Sequence, residues 1–141
     1  MPRPRQARAD EKEGERGLAA SPERARLVAQ AADEARALEI LVLYVGELLP
    51  LCDYFVICHS RSPQHGDAIT DKVRERMKEA GVLLHHREGQ RRGEWVILDY
   101  GDVVLHVFSA RAREFYALER LWAEAPRLEY PRYVPAPVLN R

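Results

Sequence analysis

Apolar positions along the chain follow two periods, one helical and one strand-like, in alternating blocks. From Ser21 onward, Leu27, Val28, Ala31, Ala32, Ala35 and Leu38 recur at the three- and four-residue spacing that places side chains on one helical face. Ser21 as N-cap, Pro22 as first helical residue and Glu23 in the first turn mark the start of that helix. Ile40–Val45 is a short run of branched side chains and predicts a buried strand. Asp53–Cys58 predicts a second strand, and the connection bracketed by Gly46 and Pro50 suggests hairpin-like pairing of the two.

Ser62 and Pro63 open a second helix, whose buried stripe is Ile69, Val73, Met77 and Ala80. Gly81 is placed to end it in the left-handed conformation. Val82–His86 reads as a third strand and Arg87–Gly93 as a charged loop. Trp95–Asp99 and Val103–Phe108 read as the fourth and fifth strands, joined by a tight turn at Tyr100 and Gly101. Ser109 can cap a last helix from Arg111 to about Trp122, with Phe115, Leu118 and Trp122 on one face. The order α-β-β-α-β-β-β-α implies an α/β fold with a mixed five-stranded sheet flanked by helices. Residues 1–20 lack apolar periodicity and are expected to be a disordered extension. Residues 21–125 form the domain. Residues 126–141, with Pro126, Pro131, Pro135 and Pro137, are expected to be an extended tail.

Composition narrows the classes of function. With 141 residues the chain suits one domain that folds without disulfide staples. Its 22 basic and 22 acidic residues cancel, which argues against a protein that simply clamps phosphate backbones, so no direct specific nucleic-acid binding is expected. No apolar run is long enough to span a bilayer, and the polar first residues carry no secretory signal, so a cytoplasmic location without membrane attachment is expected. Cys52 and Cys58 form no C-x-x-C pair and read as reduced, half-buried small residues.

Candidate chemistry gathers at strand ends. Asp53, Asp99 and Asp102 are carboxylates of the kind that hold divalent cations, and Asp99 and Asp102 flank only Tyr100 and Gly101. A metal-dependent nucleotidyltransferase-like enzyme using Asp99 and Asp102 is therefore one reading. Against it, no phosphate-cradling glycine motif occurs, and aspartate is also a common turn residue. His85 and His86 are adjacent on a predicted strand and point to opposite faces, so no zinc site is expected. No nucleophile motif stands out, so the leading expectation is a partner-binding domain with no cofactor, and the metal-dependent enzyme stays the alternative. Trp95, Tyr100, Tyr116 and Trp122 lie in or beside the last hairpin and helix, and such residues commonly anchor interfaces. Phe55, Phe108 and Phe115 are expected in the core, whereas the Asp-Tyr-Gly-Asp tip is expected to face solvent and suit a basic protein surface.

Four blocks carry a resemblance. They are Asp53–Ile57 (DYFVI), Ala68–Val73 (AITDKV), the long run Gly93–Phe108 (GEWVILDYGDVVLHVF) and Arg113–Trp122 (REFYALERLW). In this order they resemble the ribosomal silencing factor family, also called RsfS or Iojap-like, over about residues 22–125. Gly66, Pro63 and Asp67 depart from the family's usual pattern near the second helix. The resemblance implies a nucleotidyltransferase-like fold without known catalysis, which would explain the enzyme-like acidic residues. It implies binding to the large ribosomal subunit, chiefly its protein fourteen, on the subunit-joining face. That binding would block association with the small subunit and repress translation under nutrient limitation. A homodimer is implied when the protein is free. Carried over by position, the partner-binding residues would be Trp95, Asp99, Tyr100, Gly101 and Asp102 on the hairpin and Tyr116, Glu119 and Trp122 on the last helix. Trp95 and Tyr100 would be aromatic anchors, and Asp99, Asp102 and Glu119 would meet basic groups. His106 is assigned to structure, with a neighbouring carboxylate as its expected partner.

Overall fold

A computed structural model describes residues 21–127. The expected extension at 1–20 and the tail after Arg127 lie outside them. The elements are α1 (Ser21–Glu34), β1 (Leu38–Tyr44), β2 (Tyr54–Ser60), α2 (Pro63–Glu79), β3 (His86–Glu88), β4 (Trp95–Asp99), β5 (Val103–Ser109), α3 (Ala110–Tyr116) and α4 (Leu118–Leu121). The strands form one sheet in the order β1-β2-β5-β4-β3. β2 and β5 run parallel, in register from Tyr54↔Val103 to Ser60↔Ser109, and every other neighbouring pair is antiparallel. The segment α2-β3-β4 supplies the long crossover that a parallel pair requires. This is the mixed α/β sheet flanked by helices that the apolar periods predict.

Strand alternation sorts side chains onto two faces. Val42, Val56, Leu98, Val103 and Leu105 point to one face and pack with Val28 and Ala32 of α1 and Ile69, Val73 and Met77 of α2. Leu43, Phe55, Ile57 and Phe108 point to the other and pack with Ala112, Leu118 and Ala125. The short α3 and α4 cover only part of this second face. β4 therefore keeps Trp95, Ile97 and Asp99 half-exposed there.

Local signals at α2 act as the sequence predicts. Ser62 Oγ accepts the His65 N–H at 3.0 Å, with Pro63 as the first helical residue. At the far end Gly81 has φ 78; its N–H donates to the Lys78 carbonyl at 3.0 Å, and the Val82 N–H donates to Met77 at 2.9 Å. This paired closure satisfies the last carbonyls of the helix.

Three expectations are corrected. The third strand starts at His86 rather than Val82 and takes in Arg87 and Glu88, which were expected in a loop. Val82 is used in closing α2, and laddering begins only where the chain reaches β4, at His86↔Asp99. The last helix is broken: Ala117 adopts φ 48 between α3 and α4. Ser21 does not act as a simple cap. Its Oγ lies 2.7 Å from an Asp53 carboxylate oxygen and 2.8 Å from one of Asp102, and its single hydrogen serves the two in turn. Both cysteines are free, as expected, but both are buried rather than half-buried, and burial pushes the Cys58 thiol up to about 12.

Candidate functional site

The β4–β5 turn is built from its own residues. Asp99 Oδ1 accepts the Gly101 N–H at 2.8 Å, and the Tyr100 N–H donates to the Val103 carbonyl at 2.9 Å. Gly101 is required twice over. Its φ is +94, and a Cβ there would lie 2.9 Å from the His85 ring.

The tip does not face solvent, contrary to expectation. Tyr100 and Asp102 are each only 1% exposed. Tyr100 shares the parity of Val96 and Leu98, so its ring enters the core under the helices, and burial pushes its hydroxyl up to about 12. Asp102 turns to the start of α1, where the Arg24 guanidinium lies 3.6 Å away and the Ser21 hydroxyl 2.8 Å away. Its carbonyl accepts the N–H groups of both Asp53 and Tyr54 at 2.9 Å. Asp99 and Asp102 therefore serve different neighbours and do not converge on one point. Among the described residues, no group of three or more His, Cys, Asp or Glu is placed to hold a metal ion.

The accessible chemistry lies on the second face of the sheet. The Trp95 ring sits 4.8 Å from Phe108 and 4.7 Å from Tyr116, centre to centre. Its Nε1–H donates to His106 Nδ1 at 3.1 Å, so the neutral imidazole carries its proton on Nε2. The expected carboxylate partner of His106 is thus an indole. Burial pushes the His106 pKa down to about 4. Phe55 meets His106 edge-on at 4.7 Å and Trp122 at 5.4 Å, while Phe115 meets Tyr116 edge-on at 5.0 Å. The result is one row of rings from Phe115 through Tyr116, Trp95, His106 and Phe55 to Trp122.

The outer end of this row is open to solvent, with Phe115 78% and Tyr116 49% exposed, and next to Trp122 at the other end Leu121 of α4 is 75% exposed. A shallow cleft of about 370 Å³ lies beside Phe115 and Tyr116, bounded by Glu94 and Arg111. Another of about 330 Å³ lies between Leu48, Leu121 and Trp122. A larger concavity of about 610 Å³ lies across the sheet, between α2 and Val82–Leu84. Asp71, Arg74, Glu75 and Lys78 alternate in sign along it, which gives no convergent donor set.

Of the eight residues expected to bind a partner, Trp95, Tyr116 and Trp122 belong to this aromatic ledge. Asp99 and Gly101 are half-buried at its hairpin end. Glu119 is committed within the molecule, its Oε2 taking the Arg113 Nε–H at 3.3 Å. Tyr100 and Asp102 support the hairpin from beneath. Sequence reasoning missed Phe115, expected in the core, because nothing at Ala117 announces the break that turns it outward. It also missed Arg113, which is buried although it reads as one more arginine on a polar helix face.

Fold and ledge together define a small α/β domain whose mixed sheet carries a partly open aromatic face. The family described as "Ribosomal silencing factor during starvation" matches residues 18–139. The chain is 39% identical over 101 residues to "Ribosomal silencing factor RsfS" of Bacillus subtilis, covering 72% of this chain and 86% of that protein. It is 35% identical over 104 residues to "Protein Iojap, chloroplastic" of Zea mays, covering 74% of this chain and 45% of the maize protein. A crystal structure of a Chromobacterium violaceum protein superposes with a TM-score of 0.72 at 30% identity, covering 79% of this chain and 92% of that one. The chain belongs to the ribosomal silencing factor family. Among the described residues, no helix is long and apolar enough to cross a membrane.

Proposed function

We propose that this chain docks on the large ribosomal subunit, chiefly through that subunit's protein fourteen, at the face where the small subunit joins. Bound there in the bacterial cytoplasm, it holds the subunits apart and represses translation when nutrients are short. Family membership supports the class of activity. The observation that carries the mode of action is the row of rings whose one end, Phe115 and Tyr116 beside Trp95, is exposed, with exposed Leu121 next to Trp122 at the other end. Exposed aromatic side chains backed by a rigid sheet are what interface anchors require. Because the Trp95 N–H is already taken by His106, Trp95 offers its ring and not its donor. Asp99 at the hairpin end and the exposed Glu114 supply negative charge for a basic partner surface. Glu119 acts through Arg113, and Tyr100, Gly101 and Asp102 act by fixing the hairpin. The free protein is a homodimer in this reading, and no cofactor takes part.

The test is pelleting of purified protein with isolated large subunits, together with a subunit-joining assay. Tyr116→Ala should weaken binding at least ~10-fold, since truncating a true anchor costs about 2 kcal/mol or more. Its unfolding midpoint should stay near that of the native chain, because Tyr116 is half-exposed. Protein that neither pellets with large subunits nor slows joining would sink the proposal.

A further inference from the structure

Behind the ledge, Arg113 of α3 is 8% exposed and spans the gap to the first two strands. Its Nη1 donates toward the carbonyls of Leu38 at 3.3 Å and Glu39 at 2.8 Å, and lies 3.0 Å from His59 Nδ1. Its Nε–H donates to Glu119 of α4 at 3.3 Å. Two backbone positions bound to this side chain or its own residue are left-handed without being glycine: Glu39 at φ 49 and Ala117 at φ 48. Such positions persist where the surroundings over-determine them. Glu39 marks the irregularity in the β1–β2 register between Leu38 and Leu41. Ala117 is the elbow between α3 and α4, and its N–H donates to the Arg113 carbonyl at 2.9 Å. Tyr116 lies directly before the elbow and Trp122 just after α4. The elbow therefore sets how the two ends of the aromatic row stand to each other.

We propose that Arg113 is a positioning residue for the partner-binding face, and that His59 makes its hold dependent on protonation. The identity of the partner rests on the ribosomal reading above; the clamp does not. His59 is faced by Arg113 from α3, Glu119 from α4, Glu39 from β1 and His65 at the start of α2, and Glu114 of α3 and Arg120 of α4 line the same hollow. His65 is already engaged, its Nδ1 accepting the Arg61 N–H at 3.0 Å and its Nε2 lying 2.8 Å from the Ala35 carbonyl. Neutral His59 accepts from the guanidinium. Protonated His59 has no acceptor left, and the same contact becomes one between like charges, with Glu39 and Glu119 drawn to either cation. Burial first, and Arg113 second, lower the His59 pKa below its ordinary 6.5. The clamp is therefore closed at neutral pH and opens as pH falls below that value. Lysine in place of Arg113 would keep the charge but lose the planar fork that serves β1, β2 and α4 together.

The experiment uses the full chain. In amide spectra recorded from about pH 7.5 down to about pH 5, Ala117, Leu118 and Glu119 should move with the titration of the His59 ring. His59→Asn, whose amide oxygen accepts without titrating, should abolish that movement. In large-subunit pelleting, affinity should fall at least about threefold between neutral pH and the acid side of the observed His59 ring titration in the native chain and stay flat in His59→Asn. Arg113→Lys should weaken binding roughly tenfold at either pH. Elbow amides that ignore the His59 titration overturn the proposal, as does a folded Arg113→Lys that binds with native affinity. A native chain that never pellets with large subunits, while its elbow amides still follow His59, removes the ribosomal reading and upholds the clamp.

Discussion

Tyr100 and Tyr116 are both tyrosines beside the same tryptophan-bearing hairpin, yet their substitution should be read by different instruments. Tyr100 is 1% exposed and Tyr116 49%. Tyr100→Ala empties a core position and should lower unfolding free energy by about 3 kcal/mol, measured by chemical denaturation. Any loss of binding in that variant would follow from the loss of fold, unlike the loss in Tyr116→Ala. Gly101→Ala forces a side chain onto φ +94 and against the His85 ring, so it should cost more than about 1 kcal/mol in the same measurement. The sequence held the means to place Tyr100. Val96, Leu98 and Tyr100 fall at period two, and continuing that parity one step past the strand end puts the ring in the core. The turn chemistry of Asp99 and Gly101 was legible because it is local. The burial of Asp102 was not, since it depends on Ser21 and Arg24 brought from some eighty residues away in sequence.

At the scale of elements, α2 and the β4–β5 hairpin were legible because caps, periods and turn residues agreed along their length. The last helix was not. Its apolar residues fit one unbroken helix, but Arg113 is drawn toward β1 and β2, and the chain bends at an alanine. Ala117→Gly should raise unfolding free energy by about 0.5–1 kcal/mol, because an L side chain in the left-handed region carries a steric cost that glycine avoids. The gain is limited by the extra freedom glycine gives the unfolded chain. Thermal unfolding would detect it, and a fall in stability would show that the elbow is not strained at this residue. The same substitution loosens the elbow, so improved stability with weaker binding would separate the two consequences of one backbone angle. The third strand was misplaced for a comparable reason. Val82–His86 is apolar enough for a strand, but Val82 is used in closing the preceding helix, and Leu83 stands 75% exposed.

Among the described residues the sheet has one face fully clothed by helices and one partly bare. Helix amphipathicity foretold the first, and the second depends on how far two short helices reach. Acid should weaken the assembly through the histidines. In the folded chain His106 is held down to about 4 by burial, and His59 is held below 6.5. The unfolded chain binds these protons more readily, so stability is complete above about pH 6.5 and is lost as pH falls from there toward 4. For His106 alone the loss is on the order of 3 kcal/mol. Denaturant midpoints measured across that range should fall steadily, and His106→Gln should flatten the slope. The outermost strands bear on how the protein behaves in concentrated solution. The Tyr44 N–H donates to the Pro126 carbonyl at 2.8 Å, and Leu43 bridges to Arg127, so the segment after α4 occupies part of the free side of β1. The opposite margin, β3, is three residues long and bears His86, Arg87 and Glu88. A brief, charged strand on one side and a covered strand on the other leave little backbone on which a foreign strand can template itself. Ending the chain at Ala125 would bare the β1 margin, and the shortened protein should turn turbid at concentrations where the full chain stays clear.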